Sequence, residues 1–206
     1  MTRLISLAAA AVLVALIGGL WLSTLFTKPD DQFADCGSGV VAGGTSQIGG
    51  PFELVNSKGE TVTDKDVLTG PSLIYFGYTF CPDVCPLDNA RNAEAIDILE
   101  SRGRMVTPVF ISIDPARDTP EMVGDFAFNL HERMIGLTGS PEQVKAASQA
   151  YKTYYKAHEE EDEFYLVDHS TFSYLVLPDH GFVGYFNRND TPEQMADRVM
   201  CYLDNA

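Results

Sequence analysis

The amino-acid sequence predicts an α/β fold with a mixed central sheet flanked by helices, and two kinds of pattern support this prediction. The apolar, β-branched and aromatic runs Leu73–Phe76 and Val106–Ile113 are typical of buried strands. A helical segment joins them, and such a unit places its two strands side by side and parallel. Three later helices each begin with a Ser or Thr N-cap followed by Pro and Glu, at Thr119, Ser140 and Thr191.

The other predicted elements are shorter or rest on weaker signals. They are a β-hairpin at residues 52–63, a short strand at Met134–Leu137, a helix from Ser140 to about His158, and a second hairpin over Phe172–Phe186. An acidic run at residues 159–163 is expected to be a solvated loop. The chain shows no internal repeat and no second globular domain.

Two cysteines follow the first central strand in a CxxxC spacing, and each is followed by proline. Pro86 lacks an N–H and fits the first position of a helix, so we expect Cys85 to be the N-cap of a helix that runs to about Gly103. The macrodipole and the free N–H groups at a helix N-terminus favour a thiolate. Cys81 and Cys85 are therefore candidates for disulfide exchange or for binding a soft metal ion.

Three motifs along the chain resemble those of one family. They are GYTFCPDVCP at residues 77–86, IDPARDTP at residues 113–120, and VDHS at residues 167–170 followed by Tyr174-Leu175. Through them residues 45–204 resemble the Sco/SenC family of copper-binding assembly factors for cytochrome c oxidase. The resemblance implies a thioredoxin-like fold that carries the first hairpin as an N-terminal extension. It also implies a metallochaperone for the copper centre of cytochrome c oxidase subunit II, rather than an enzyme.

The resemblance maps the family's metal ligands onto Cys81, Cys85 and His169. From the residues alone the role of His169 stays open, although its loop would face the cysteine loop in a thioredoxin fold. Two thiolates and one imidazole suit trigonal Cu(I), and with an added oxygen ligand they hold Cu(II). A structural zinc site would need a fourth ligand, which Asp83 or Asp168 offers.

Other polar side chains have competing interpretations. Asp168 either orients His169 or is an ordinary loop carboxylate. Asp114 and Asp118 belong to the second motif but also fit a role in capping turns. The three other histidines are expected to be structural or solvated: His131 at a helix end, His158 beside the acidic run and His180 in a hairpin turn.

The apolar run Leu4–Phe26 is long enough to cross a bilayer, which takes roughly 20 residues. We expect residues 1–28 to be an uncleaved transmembrane anchor, 29–50 a linker and 51–206 the thioredoxin-like domain. Because Arg3 should stay cytoplasmic, the expected location is the inner membrane, single-pass, with the domain in the periplasm or the equivalent mitochondrial intermembrane space. A cleaved secretory signal is the alternative, whereas a lipoprotein signal at Cys36 has a poor sequence context.

All 29 acidic residues and 12 of the 14 Lys and Arg residues follow Lys28. This acidic excess argues against nucleic-acid binding and favours a basic protein partner, or simply solubility. The partner that the resemblance implies is the copper domain of cytochrome c oxidase subunit II. Other copper carriers or thiol reductants are further candidate partners.

Cys36 and Cys201 lie outside the CxxxC motif. Because disulfides persist in exported domains, we expect these two residues to pair and to tie the linker to the last helix. Two unrelated free thiols are the alternative interpretation.

Thiol-disulfide oxidoreduction on the same fold is the rival function, and a copper or redox sensor is a further one. The CxxxC spacing departs from the CxxC of thioredoxins, and no proline precedes the strand after His169. Copper delivery and reduction of the target's cysteines are nevertheless compatible. A peroxiredoxin-like peroxidase would need a Thr/Ser-x-x-Cys spacing, which Thr79 and Cys81 do not provide.

Overall fold

The computed structural model describes residues 12–19, 21–22, 32–37, 47–158 and 165–206. The chain divides into two compact units, Met1–Ala34 and Asp35–Ala206. In the first unit, residues 12–19 and 21–22 are helical. Within the described ranges no helix has the length and apolar character needed to cross a membrane. More than half of the expected anchor, residues 1–28, lies outside those ranges, as does the acidic run at residues 159–163.

The second unit is an α/β domain with two sheets. Its strands are β1 (Glu53–Asn56), β2 (Thr61–Thr63), β3 (Ser72–Gly77), β4 (Thr107–Ser112), β5 (Ile135–Thr138), β6 (Tyr155–Ala157), β7 (Val167–His169), β8 (Ser173–Leu177) and β9 (Gly181–Phe186). Its helices are α1 (Asp64–Val67), α2 (Val84–Ser101), α3 (Pro120–Leu130), α4 (Pro141–Ala150) and α5 (Pro192–Asp204).

The larger sheet is mixed and has the strand order β2-β1-β5-β4-β3-β8-β9. Strands β3 and β4 are parallel neighbours, as predicted, β5 is parallel to β4, and β8 is antiparallel to β3. All six residues of β3 are buried, which explains why its sequence is continuously apolar rather than alternating. The mixed sheet and its packed helices confirm the α/β, thioredoxin-like prediction.

Both predicted hairpins form, one at each edge of this sheet. Strands β1 and β2 make the N-terminal extension, and β1 joins the sheet by pairing with β5. Strands β8 and β9 make the second hairpin and complete the other edge. The three predicted N-caps are also confirmed, since each side chain accepts a backbone N–H from the first turn of its helix: Thr119, Ser140 and Thr191.

The prediction for the end of α4 was wrong. The helix ends at Ala150 instead of near His158, and Lys152 follows it in the left-handed backbone region with φ 53°. Residues Tyr155–Ala157 form β6 and pair with β7 in a separate two-stranded sheet. The β-branched and aromatic residues from Thr153 onward favour extended structure, and the pairing with β7 satisfies their backbone groups.

Candidate metal centre

The cysteine loop follows the C-terminal end of strand β3 and leads into α2. The predicted helix start was two residues late: α2 begins at Val84 with Asp83 as N-cap, so Cys85 and Pro86 lie in its first turn. Proline is tolerated there because the first backbone N–H groups of a helix have no intrahelical acceptor. Both thiols therefore lie at the N-terminus of α2, which is the placement that the sequence predicted.

The Cys81 sulfur takes over part of the capping role at this helix end. The backbone N–H of Cys85 donates to Cys81 Sγ at 3.3 Å, whereas the Asp83 side chain makes no capping hydrogen bond. This bond folds the CxxxC loop back on itself and brings the two sulfurs to one side. Cys81 and Cys85 are buried, and neither is disulfide-bonded.

His169 reaches the same place from the other sheet, at the end of β7. Its Nε2 lies 3.3 Å from Cys85 Sγ, and its Nδ1 lies 2.8 Å from the carbonyl oxygen of Ser170. A carbonyl can only accept, so Nδ1 carries a proton in this bond, and Nε2 is the ring nitrogen that faces the sulfurs. The rings of Tyr75 and Tyr78 flank the imidazole edge-on, with centroid distances of 6.2 and 5.9 Å.

The three expected ligands thus form one cluster. The ligand atoms of Cys81, Cys85 and His169 all lie within 4.8 Å of one another, which is a spacing that can hold a metal ion. Two sulfurs and one imidazole nitrogen are soft donors. The site joins residues that are 84 positions apart in sequence, since β7 and α2 meet only in the folded domain.

The two thiols differ in acidity. The hydrogen bond from the Cys85 thiol lowers the pKa of Cys81, although burial opposes this effect. The same bond, together with stronger burial, raises the pKa of Cys85. One proton shared between the sulfurs therefore belongs to Cys85, and Cys81 is the more anionic of the two.

Asp118 is a buried link between the loops after β3 and β4, and it does more than cap its own turn. Its carboxylate accepts from Thr79 N at 3.0 Å, from Thr79 Oγ1 at 2.5 Å and from Ser112 Oγ at 2.6 Å. Burial raises the pKa of Asp118, and these hydrogen bonds oppose the rise. The carboxylate thus holds the segment that leads into Cys81.

The other polar candidates do not join the sulfurs. Asp168 lies 2.8 Å from His158 Nε2, so its hydrogen bond goes to a different histidine and not to His169. Asp83 is exposed at the start of α2. His131 accepts the backbone N–H of Arg133 at the end of α3, which confirms a structural role, and His180 lies exposed in the β8–β9 turn.

Cys36 and Cys201 form a disulfide, as predicted, with a Cα–Cα distance of 5.4 Å. Cys36 is buried although it lies within the expected linker, and Cys201 lies near the end of α5. Helices α2 and α5 pack together, and Arg102, just after α2, pairs with Asp197 of α5. The disulfide is therefore near the C-terminal end of α2, whereas Cys81, Cys85 and His169 lie at its N-terminal end.

Sequence reasoning missed a second layer of contacts around the cluster. Tyr75 donates its hydroxyl to the buried Asp88 at 3.0 Å, and Arg117 binds Asp114 at 2.6 Å. Tyr165 also donates to Asp114, at 2.7 Å. The only signal in the sequence was the position of Asp114 and Arg117 inside one motif, which said nothing about their partners.

Comparisons with known proteins agree with these findings. The SCO1/SenC family model matches residues 41–204. The chain is 51% identical to Protein SenC of Rhodobacter capsulatus over 199 residues, which are 97% of this chain and 90% of that protein. It is 44% identical over 158 residues to the mitochondrial SCO1 homolog 1 of Arabidopsis thaliana, which covers 76% of this chain and 47% of that protein.

Solved structures share the fold and the arrangement of its elements. Arabidopsis thaliana ScoI with copper bound has a TM-score of 0.74 and 42% identity, over 77% of this chain and 99% of that one. BsSco, a member of the Sco family of cytochrome c oxidase assembly proteins in which a disulfide switch was identified, has a TM-score of 0.61 and 26% identity, over 76% of this chain and 91% of that one. With its fold, its Cys-Cys-His cluster and these relatives, the chain belongs to the SCO1/SenC family.

Proposed function

We propose that the chain binds copper through Cys81, Cys85 and His169. The observation that carries this proposal is the approach of His169 Nε2 to 3.3 Å from Cys85 Sγ, with all three ligand atoms inside 4.8 Å. Two sulfurs and one imidazole suit three-coordinate Cu(I), and an added oxygen ligand adapts the set to Cu(II). Zinc is less well served, because neither Asp83 nor Asp168 belongs to the cluster that the described residues form.

A metal titration of the full-length protein under reducing conditions tests the ligand set. Cys81→Ala and Cys85→Ala should each nearly abolish tight Cu(I) binding, because a two-ligand remnant holds the ion poorly. His169→Ala should weaken Cu(II) binding more than Cu(I) binding, since imidazole matters more to the harder ion.

His158→Ala is the matched control for that titration. His158 follows β6, the partner strand of β7, but its ring bonds to Asp168 and lies outside the cluster. The control should bind both ions like wild type. Wild-type affinity for both ions in His169→Ala would contradict the assignment.

Copper bound in this way would serve the assembly of cytochrome c oxidase, and we propose the copper domain of its subunit II as the recipient. BsSco, a relative of this chain, belongs to a family of cytochrome c oxidase assembly proteins. A three-coordinate ion next to partly exposed His169 leaves room for an incoming thiolate, so transfer would proceed by replacing one ligand at a time. Such a transfer changes no oxidation state, and the chain's ligands take back protons as the recipient's thiols lose theirs.

The proposed encounter is electrostatic, because the chain has a net charge of −15. Association with a subunit II domain that presents a basic patch should weaken as ionic strength rises from about 20 to 300 mM, because salt screens the attraction. Association rates measured by stopped-flow at several salt concentrations provide the test. A rate that does not depend on salt would remove the electrostatic part of the proposal.

Thiol-disulfide exchange is the second candidate function. The observation that favours it is the pair of reduced cysteines in one loop, of which Cys81 is the more anionic and Cys85 the more protonated. An attacking thiolate beside a resolving thiol is the arrangement that exchange requires. If His169→Ala binds copper like wild type while both cysteines still cycle with a dithiol, exchange is the better assignment. Oxidation to a Cys81–Cys85 disulfide should abolish copper binding in either case.

We also propose that residues 1–28 anchor the chain in a membrane, that residues 29–50 link the anchor to the domain, and that the domain at 51–206 lies on the periplasmic or equivalent side. The length and apolar character of Leu4–Phe26 support this proposal. Alkaline extraction of membranes should leave the full-length protein in the pellet. A soluble protein shortened by about 25 to 30 residues would instead indicate a cleaved signal.

A further inference from the structure

Arg117 contacts three segments that surround the cluster of Cys81, Cys85 and His169: the loop after β3, the loop after β4 and the residues just before β7. Its guanidinium carbon is 3.6 Å from the centroid of the Tyr165 ring, 5.0 Å from that of Phe80 and 5.7 Å from that of Tyr78. We call these three rings the aromatic cage. Two of them belong to the loop after β3, and the third lies just before β7. A planar cation between ring faces is attracted by each of them.

A buried carboxylate completes the arrangement from the loop after β4. Asp114 is 3% exposed; its Oδ2 accepts from Arg117 Nε at 2.6 Å and its Oδ1 accepts from the Tyr165 hydroxyl at 2.7 Å. Among the described residues no acceptor meets the buried Arg117 Nη2. An orphaned N–H of this kind is costly unless another interaction compensates it, and the negatively polarised ring faces provide that compensation.

The aromatic cage is attached to both ligand-bearing segments of the proposed copper site. Phe80 directly precedes Cys81, and Tyr165 lies four residues before His169. Tyr78 adds a second connection, since its hydroxyl accepts the backbone N–H of Val167 at 3.3 Å. Strand β3, which leads into the cysteine loop, and strand β7 belong to different sheets. The separation between the cysteine loop and β7 is therefore set by side-chain contacts rather than by strand pairing.

We propose that Arg117 is a positioning residue for the metal site, and that it sets the distance and angle between the CxxxC loop and His169. The proposal rests on the copper binding proposed above and deepens it. Arg117 acts through its contacts: through Phe80 on the Cys81 side, and through Asp114 and Tyr165 on the His169 side. A loosened cage would leave all three ligands present but would let His169 adopt more than one position relative to the sulfurs.

Arg117→Lys in the full-length protein tests this role, because lysine keeps the charge but loses the planar stack and the forked donors. The copper-free protein, labelled with ¹⁵N-histidine, should show His169 ring signals that shift and broaden. After loading, the Cu(II) EPR spectrum should change from one species to a mixture. The Cu(II) affinity should fall by roughly 10-fold, as is typical when a group supporting a metal ligand is lost.

Two further variants make the result decisive. Tyr165→Phe keeps the ring and removes only the hydroxyl bond to Asp114. It should shift the His169 signals in the same direction as Arg117→Lys, but by a smaller amount. It also provides the test if Arg117→Lys does not fold. Arg102→Lys is the matched control, because Arg102 pairs with Asp197 at the far end of α2; it should leave the His169 signals and the EPR spectrum unchanged.

Unchanged His169 signals and an unchanged Cu(II) spectrum in both Arg117→Lys and Tyr165→Phe would overturn the proposal. A lower melting temperature with unchanged His169 signals would also overturn it, since Arg117 would then only stabilise the fold. The signals of the copper-free protein separate this inference from the proposed function. A wild-type protein that binds no copper would refute the function, while the histidine signals would still report on positioning.

Discussion

The unequal acidity of Cys81 and Cys85 comes chiefly from a hydrogen bond between the two buried sulfurs, and stronger burial adds to the raised pKa of Cys85. The thiol that donates becomes harder to ionise, and the sulfur that accepts becomes easier to ionise. Since a metal ion replaces protons on its sulfur ligands, copper binding releases the proton that Cys85 holds. The site therefore binds metal more tightly as pH rises, because the free energy needed to deprotonate Cys85 becomes smaller.

This asymmetry predicts two different pH profiles for alkylation of the copper-free, reduced protein. An ordinary thiol loses reactivity about 100-fold between pH 8 and pH 6, because its pKa is near 8.5. Cys81 should remain a thiolate across this range, since its pKa is lowered, so its iodoacetamide rate should stay nearly flat. Cys85 should stay protonated and almost unlabelled, since its pKa is raised. Timed labelling followed by peptide mass spectrometry measures both rates.

Cys81→Ser supplies the control for the alkylation experiment. It removes the sulfur anion that is the largest cause of the raised pKa of Cys85, so Cys85 should label at a lower pH than in the wild type, while burial keeps its pKa above that of an ordinary thiol. If the rate at Cys81 in the wild type falls tenfold per pH unit below pH 8, the assigned direction of the pKa shift is wrong.

At this scale the sequence predicted the three residues that cluster, Cys81, Cys85 and His169, and missed the residues that position them. Cys81 and Cys85 are four positions apart, and their CxxxC spacing indicates their chemistry. His169 could be predicted as a ligand only through the family motif, because it is 84 positions from Cys85 and comes close to it only in the folded domain. Arg117 and Tyr165 are 48 positions apart, and no local pattern indicates that a guanidinium will stack on a particular ring.

Strand β3 ends at Gly77, where the absence of a side chain makes room for the sulfur of Cys85. A Cβ at Gly77 would lie 2.9 Å from Tyr75 Cε1, 3.0 Å from Cys85 Sγ and 3.1 Å from Phe110 Cε2. These distances are shorter than ordinary contacts between such atoms, and the neighbours are themselves buried. The glycine is therefore required for close approach of the strand to the sulfur.

Gly77→Ala should accordingly destabilise the domain by roughly 1–3 kcal/mol, which is typical of overpacking in a core. It should also push Cys85 Sγ away from the strand and lower copper affinity. Denaturant unfolding and a copper titration measure the two effects. Gly70→Ala is the control, because a Cβ there meets no atom within 4 Å; its stability should change by less than about 0.5 kcal/mol. Equal stability of the two variants would refute the steric argument.

Element types were easier to predict than element ends. Strands β3 and β4 could be recognised by continuous apolar runs, and the three Ser/Thr-Pro-Glu motifs marked helix starts. The start of α2 was misplaced because Pro86 is acceptable at any position of the first turn. Strand β6 was missed because its partner, β7, lies beyond the acidic run, and a three-residue strand has no periodicity of its own.

At the scale of the whole molecule, the Cys36–Cys201 disulfide joins residues 165 positions apart. Such a bond stabilises mainly by restricting the unfolded chain. Replacing both cysteines by serine should lower the free energy of unfolding by roughly 2–4 kcal/mol. Denaturant curves of wild type and variant, both with oxidant absent, give the difference.

Copper affinity of the same double variant should match wild type, because the disulfide and the cluster lie near opposite ends of α2, a helix of 18 residues spanning about 27 Å. A stability loss below about 0.5 kcal/mol, or a tenfold loss of copper affinity, would contradict this assignment of the disulfide to stability alone.

The domain architecture and this pairing were both predictable, for different reasons. The α/β order follows from the continuous apolar runs, which indicate buried strands, and from the Ser/Thr-Pro-Glu motifs, which mark helix starts. The pairing followed from elimination of the CxxxC cysteines and from the expected compartment. The acidic excess predicted solubility and a basic partner, but it did not indicate that basic residues such as Arg117 would lie buried beside the site.

The disulfide also changes the mechanical connectivity of the chain. A pull applied at the N-terminus reaches Cys36 first and passes through the sulfur–sulfur bond directly into the last turns of α5, so residues 38–50 carry only part of the load. A cut anywhere in that bypassed segment leaves the two pieces joined. If a protease site is engineered between Cys36 and Phe52, the cleaved protein should migrate as one chain until a reductant is added. Two covalent connections therefore join Cys36 to the domain, the main chain and the disulfide, and a reductant breaks only the disulfide.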